Sequence, residues 1–490
     1  MCHKLIQIWL LLVHAIFVQG PCSKKQTKQI LTFIFILISS YCFSQPVAQN
    51  IKLNQIGFYP KALKIAVVTN EINGNNFYII SSSTNDTAYK GLLSNIKQSA
   101  YSSTKTRIAD FTRLQKEGSY FVWIPGVGNS FKFQIKNNVH HNFAVGALKG
   151  FFYMRSGVPL EKKYAGQWNR PAGHPDTAVY VHPSAASEQR PAGAIFSSPR
   201  GWYDAGDYNK YIVNSGITMG TLLSLYEDFP VYFNSFKTNI PESNDALPDI
   251  LNEILFNLRW MLTMQDPYDG GVYHKLTNAD FDGMVMPDVT KETRYVVQKS
   301  TTATLDFAAV TSQAARVFKK FEKQLPHLTD SCLMAAAKAW DWALKNPSIS
   351  YNQTELNQKY HPDITTGAYD DRNFNDEWLW AASELFATTK SKNYYTVIDQ
   401  RLKDSISLQS WGNVAMLGYY TIVRLEKQMP SFAKSIVQTF KDSILHKADV
   451  YLSNSFLNAF ATIMGQSKRD FIWGSNAVAA NQGILLINAY

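Results

Sequence analysis

Residues 201–211 read Gly201-Trp202-Tyr203-Asp204-Ala205-Gly206-Asp207-Tyr208-Asn209-Lys210-Tyr211. Two aspartates stand three apart, bracketed by glycine and by the rings of Trp202, Tyr203, Tyr208 and Tyr211. They fall in a loop just ahead of a helix expected to begin near Asn214. With Gly206 between them, both carboxylates can turn toward one small volume. Two carboxylates around one water suit the base half of a hydrolysis: one removes the proton while the other holds the water in line. The neighbouring rings can stack on a pyranose. An Asp-x-x-Asp pair alone also suits a calcium loop or a capped turn, and the aromatic setting is what makes this stretch specific.

The rest of the chain bounds what such a loop can belong to. Its 490 residues suffice for one large domain and a smaller one. Hydrophobic residues at 46% and charged residues at 18% describe a globular protein with a sizeable core. Aromatics at 13% fit either sugar stacking or an aromatic-rich core. The formal charge is +10, but Lys4, Lys24, Lys25 and Lys28 lie in the first 44 residues, which hold no acid; the remainder carries 44 basic against 38 acidic side chains, or +6. No basic run interleaved with aromatics stands out, so no nucleic-acid partner is expected.

Residues 1–44 read as a targeting region. A basic cluster at 24–28 precedes an apolar run at 30–40, of signal-peptide length and too short to span a membrane comfortably. Ser44 before Gln45 marks a cleavage point, and another apolar stretch lies earlier, at 5–18. The expectation is an exported protein, secreted, periplasmic or at the cell surface, with no stable membrane span once the leader is removed. Cys2, Cys22 and Cys42 fall in the leader, which leaves Cys332 without a disulfide partner. It sits in an alanine-rich stretch and reads as a small core residue.

From 48 to 138 short apolar runs at 64–68, 77–80, 120–124 and 131–135 alternate with turn-formers such as Gly126-Val127-Gly128-Asn129. This spacing predicts a small immunoglobulin-type β-sandwich. After His140, helical periodicity takes over at 142–155, 214–229, 245–265, 300–323, 329–345, 372–389, 393–405, 410–425, 430–452 and 475–490. The long connections at 156–213 and 266–299 are costly to order and read as functional loops. Residues 140–490 therefore predict an all-α domain, a helical barrel whose loops build a cleft.

The aspartate stretch closely resembles glycoside hydrolase family 9, the inverting cellulases and related endoglucanases. The segment Asn50-Ile51-Lys52-Leu53-Asn54-Gln55-Ile56-Gly57-Phe58 looks like the opening of the immunoglobulin-like module that precedes many of these catalytic domains. Tyr164-Ala165-Gly166 and Gly173-His174-Pro175-Asp176-Thr177 resemble the loop before the aspartates. Asp269-Gly270-Gly271-Val272-Tyr273-His274-Lys275 and Met286-Pro287 resemble a cleft loop, and Trp473-Gly474-Ser475-Asn476 resembles a segment near the glycone side. The resemblance implies an (α/α)6 barrel, Asp207 as general base, Asp204 as its partner on the water, and substrate contacts from Trp202, Tyr203, Tyr208, His274, Lys275 and Trp473. It implies a β-glucan polysaccharide as substrate and no organic cofactor.

Asp370-Asp371-Arg372-Asn373-Phe374-Asn375-Asp376-Glu377 packs acids at a helix start. Acids there complement the helix dipole, and hard carboxylate and carbonyl oxygens also suit calcium. The segment is similar to the family's calcium site. That implies a structural ion on Asp376 and Glu377 with help from Arg372 and Asn373. Some relatives hold zinc before the aspartates. Here His174 and His182 remain without a nearby cysteine, and two histidines rarely hold structural zinc.

An inverting glycosidase also needs a protonated carboxyl about 6.5–9.5 Å from the base. The family's late glutamate and its His-Arg segment are not found before Tyr490, and about ten helical stretches stand where the resemblance implies six pairs. The expectation is a barrel incomplete at its C-terminus, with the general acid beyond residue 490. Hydrolysis without it would be weaker by about 10²–10⁴-fold. The leading function is endo-β-1,4-glucanase on cellulose, with xyloglucan or mixed-linkage glucan as other substrates. A non-catalytic β-glucan-binding protein and an adhesion module are the other classes, and the intact Asp204/Asp207 motif speaks against the last.

Overall fold

The computed structural model describes residues 47–69, 74–402, 406–455 and 457–490. The leader reading at 1–44 lies outside these residues. The chain divides into two compact units.

The first unit is built of strands. Ile51–Leu53 pairs antiparallel with Ile65–Thr69, which neighbours Lys105–Asp110. In the facing sheet, Asn76–Ser81 lies between Thr87–Leu92 and Gly118–Ile124, and Phe133–Ile135 pairs with the last of these. Alternation drives the packing. Phe77, Ile79 and Val122 point inward and are fully buried with Ala66, Val68, Ala109 and Phe111. Phe58 fits edge-on against Phe111 and Phe133, at 5.5 and 5.4 Å between ring centroids. The strands missing from the expected set, Thr87–Leu92 and Lys105–Asp110, are rich in polar residues and carry few buried side chains. A strand with so little buried area shows little hydrophobic pattern to read.

The second unit is helical. Its long helices are His141–Tyr153, Ile212–Asp228, Asp249–Thr263, Thr301–Phe318, Leu328–Lys345, Asn375–Thr389, Lys392–Gln400, Ala415–Arg424, Lys434–Ser455 and Ser475–Ala489. Thr301–Phe318 and Asn375–Thr389 are buried along nearly their whole length, whereas Leu328–Lys345 and Lys434–Ser455 bury one face only. Central helices wrapped by amphipathic ones form the layered pattern of a helical barrel. Ser300 caps the helix it precedes, its hydroxyl accepting the Ala303 N–H at 3.2 Å, one of the orphan donors at a helix start. Cys332 is fully buried, and burial pushes its thiol up to about 12.

The long loops hold one feature that the sequence reading did not include. Ile195–Phe196, Val179–Val181, Tyr295–Val296, Lys275–Thr277 and Lys210–Tyr211 form a five-stranded mixed sheet in that order. Strands of two or three residues are too short to show a period of two. Their register sets Tyr211 opposite Lys275 and Lys210 opposite Leu276, which fixes the end of the aspartate loop.

Candidate active site

The aspartate loop is anchored from below. Gly201 has φ of +85°, and a Cβ there would come within 2.7 Å of the Trp260 ring, so only glycine fits. Trp202 is 6% exposed; its indole N–H donates to Glu253 Oε1 at 2.8 Å, and Glu253 is paired with the equally buried Arg155 at 2.9 Å. Asp204 N donates to Asn209 O at 3.0 Å and closes the turn. Beneath it Asp176 pairs with Lys210 at 2.7 Å and Arg294 at 3.0 Å. Burial brings the Lys210 ammonium down to about 8 against the pull of Asp176. Arg294 also donates to the Tyr208 carbonyl at 2.8 Å.

On this base the two carboxylates have separate sets of donors. Asp207 Oδ2 accepts from Asn209 Nδ2 at 2.8 Å and from the Tyr211 hydroxyl at 2.8 Å. Asp204 Oδ1 accepts from Asn214 Nδ2 at 2.7 Å, and its Oδ2 from the Tyr369 hydroxyl at 2.7 Å. Burial holds the Asp204 carboxyl above the usual range; Asn214 and Tyr369 pull it down, and the charge of Asp207 pushes it up. Tyr369 itself sits at φ of +48°, an uncommon conformation for an aromatic residue and one that the surrounding packing must hold. Asp204, Asp207, Tyr211, Tyr369, Phe281 and Asp282 line one cavity of about 340 Å³. A water bound between two such carboxylates can lose a proton to one and be oriented by the other.

The expected substrate contacts divide. Tyr208 lies beside the aspartates, its ring 5.2 Å from His174 and its hydroxyl donating to the Val285 carbonyl. Trp202 and Tyr203 face inward. The Tyr203 hydroxyl donates to Gly173 O at 3.0 Å, and burial pushes it up to about 12. These two rings support the loop, and what little surface they keep lines a small cavity with Asp204 and Tyr211. His274 and Lys275 have no exposed surface. His274 stacks on Tyr351 at 4.3 Å and hydrogen-bonds to Ser300 and Ala368, and burial lowers its imidazole to about 3. Both are enclosed by protein: Lys275 opens a strand paired on both sides, and His274 precedes it. Trp473 is 96% exposed, and among the described residues no ring contact joins it to the aspartates. Trp411, 42% exposed and set edge-on to Tyr369 at 5.2 Å, offers an open ring beside the site. Neither Tyr369 nor Trp411 belongs to the aspartate motif, and no local signal in the sequence singles them out.

The model of glycosyl hydrolase family 9 matches residues 141–490. The chain belongs to glycosyl hydrolase family 9. The model of the cellulase N-terminal Ig-like domain matches residues 47–129. A xyloglucan-specific endo-beta-1,4-glucanase, BoGH9A of Bacteroides ovatus, is 44% identical over 441 residues, which cover 90% of this chain and 75% of that protein. Endoglucanase D of Acetivibrio thermocellus is 31% identical over 443 residues, covering 89% of this chain and 67% of that one. Among solved structures, Bacteroides ovatus GH9 superposes with a TM-score of 0.87 at 44% identity, covering 90% of this chain and 80% of the other. The family 9 endoglucanase J30 gives 0.78 at 28% identity, over 88% and 78%.

In this family 9 chain the acidic segment opens the helix Asn375–Thr389. Asp376 accepts from Asn373 Nδ2 and from Val414 N, each at 2.9 Å. Glu377 Oε2 and both oxygens of Asp306, on the adjacent helix, are buried without a hydrogen-bond partner. Burial, together with the charge of Asp376, raises both carboxyls well above their usual values. Orphaned carboxylate oxygens fit a hard cation. Among the described residues no group of three or more His, Cys, Asp or Glu side chains converges on one point, so an ion on Asp376 and Glu377 would need backbone carbonyls as further ligands. Both nitrogens of His174 and of His182 are engaged by protein partners: Tyr203 and Thr290 for the first, Ser184 and Pro362 for the second.

Proposed function

We propose that this family 9 hydrolase cleaves β-1,4-glucosidic bonds of a β-glucan with inversion at the anomeric carbon. Asp207 takes the proton from the attacking water and Asp204 holds that water in line. The observation that carries this reading is the convergence of the two aspartates on one cavity, each with its own pair of donors. The identity to a xyloglucan-specific enzyme favours a decorated β-1,4-glucan, xyloglucan, over plain cellulose. The leaving oxygen needs a proton from a further carboxyl about 6.5–9.5 Å from the base.

We propose further that calcium on Asp376 and Glu377, completed by carbonyls of Arg372 and Asn373, holds the start of the helix Asn375–Thr389 in a structural role. No helix among the described residues is long and apolar enough to cross a membrane. We propose also that the chain is exported, on the basic and apolar pattern of residues 1–44.

The test is release of reducing sugar from soluble β-1,4-glucan and from xyloglucan, with the configuration of the first product followed by proton NMR. Three proteins are compared: the 490-residue chain, the same chain carrying Asp207→Ala, and a version extended through the codons that follow. Inverted product that depends on Asp207 supports the reading. Activity confined to the extended protein places the acid beyond residue 490. Glucan binding without hydrolysis in all three would overturn the enzymatic reading in favour of a glycan-binding protein.

A further inference from the structure

Lys275 is a cation with no exposed surface that the hydrolytic reading leaves without a role. Its ammonium has three N–H donors and three short acceptors: Gln353 Oε1 at 2.7 Å, Thr366 Oγ1 at 2.9 Å and Gly367 O at 2.7 Å. Every donor is committed to protein, so Lys275 has none left for a sugar. What it holds is more informative. Two of the acceptors, Thr366 and Gly367, belong to the segment 366–369, at whose end the Tyr369 hydroxyl donates to Asp204, and the third, Gln353, donates its own Nε2 to Thr366 O at 2.7 Å. The same ammonium lies 5.5 Å from the centroid of the Tyr211 ring, whose hydroxyl donates to Asp207. A third route runs through hydrogen bonds alone. Thr366 Oγ1 meets Thr277 Oγ1 at 2.6 Å, Thr277 Oγ1 donates to Asn209 Oδ1 at 3.0 Å, and Asn209 Nδ2 donates to Asp207 at 2.8 Å.

The segment has no slack to absorb a loss of this anchor. A Cβ added at Gly367 would come within 2.9 Å of the Tyr369 ring and 3.2 Å of the Tyr211 hydroxyl. Around the ammonium stand the rings of Tyr211 and Tyr351, the neutral His274 on its own strand and the Asp207 carboxylate. Burial lowers the lysine to about 7, with Asp207 acting in the opposite sense. A buried charge with ideal partners orders what it touches, and removing it leaves those partners unsatisfied.

We infer that Lys275 is the positioning residue of the site: one buried ammonium fixes the two tyrosines that aim Asp204 and Asp207, without itself touching substrate. This rests on the hydrolytic role proposed for the two aspartates. A positioning residue acts on the rate of the chemical step and leaves ground-state binding intact.

Lys275→Met keeps most of the volume and removes the charge. The expected result is a fall in kcat of about tenfold or more, the usual worth of a hydrogen bond to a charged group, with KM for soluble xyloglucan unchanged within about twofold. Wild-type kcat in the variant, or a rise in KM alone, overturns the inference and returns Lys275 to substrate binding. A crystal structure of Lys275→Met provides a readout that does not depend on turnover. Displacement of the Tyr369 and Tyr211 hydroxyls from their aspartates supports the inference, and retention of both hydrogen bonds overturns it. If neither the 490-residue chain nor its extended version hydrolyses glucan, the hydrolytic reading fails, and the crystallographic comparison still decides what Lys275 positions. Gln353→Leu, which deletes one acceptor and leaves the lysine in place, is measured in the same two ways should Lys275→Met not fold.

Discussion

Tyr211 and Tyr369 meet edge to face, their ring centroids 4.8 Å apart at 74°, and each donates its hydroxyl to a different aspartate. The contact makes the two carboxylates one mechanical unit although they take their donors from distant parts of the chain.

Tyr369→Phe removes one of the two donors that offset the burial of Asp204. Its carboxyl then rises further above the usual range, so the ionised form is lost at a higher pH as the solution is acidified. The expected outcome is an acid limb of kcat/KM displaced to higher pH, with a fall in kcat of about tenfold. A pH–rate profile of variant against wild type checks it.

Trp411→Ala deletes the open ring beside Tyr369. An aromatic contact is worth about 0.5–1.5 kcal/mol beyond the area it covers, so KM for soluble glucan should rise about 2–12-fold with kcat little changed. Steady-state kinetics separate the two parameters. A loss confined to kcat would remove Trp411 from the substrate path.

Beneath the loop, Arg155 and Glu253 form an ion pair with both side chains 2% exposed, and Glu253 also receives the Trp202 indole N–H. Glu253→Ala leaves the buried guanidinium with only the part-exposed Glu242, at 3.0 Å, as its carboxylate partner, at a cost of up to about 3–5 kcal/mol. Urea denaturation measures it. A loss under about 1 kcal/mol would mean that Glu242 alone, or water, satisfies Arg155.

Two imidazoles contribute to acid sensitivity. Burial lowers His274 to about 3, and burial with the nearby Arg294 lowers His174 to about 4, each from 6.5. Both stay neutral in the folded protein while their unfolded counterparts take up protons. The unfolded state therefore binds more protons below pH 6.5, and stability falls as pH drops from 6.5 toward 4. The slope is about 1.4 kcal/mol per pH unit for each group. Urea melts at several pH values between 4 and 7 check it, and His274→Gln should reduce the slope by one group's share.

Calcium on Asp376 and Glu377 should raise the melting temperature in proportion to the logarithm of its concentration once above Kd. Glu377→Gln should abolish that rise, and a chelator should reverse it. A rise that survives in Glu377→Gln would move the ion elsewhere.

What was legible in the sequence depended on whether the signal was local. The aspartates, the turn between them and the helix that follows are contiguous, so Asp204 and Asp207 could be singled out and both line the cavity. Most of the long helices bury faces wide enough to impose their period, although Lys392–Gln400 buries only Ile398 and Ser475–Ala489 only Gln482 and Leu485. Trp202, Tyr203, His274 and Lys275 share the local pattern of ligand-facing residues, yet all are buried. A motif records which residues occur together and not which way they point. Tyr369 was beyond local reading because its partner Asp204 lies 165 positions away. The five-stranded sheet under the loop was equally hidden, since each strand of two or three residues takes its place from its neighbours.

The same 165-residue span acts as a timer. At about 5–20 residues per second, a ribosome that has just finished the aspartate loop needs roughly 8–33 s more before Tyr369 exists to hold Asp204. Until then the loop has its acids but not the geometry to use them. A nascent chain therefore carries both aspartates before the residue that supplies the Tyr369 hydrogen bond to Asp204 has been made.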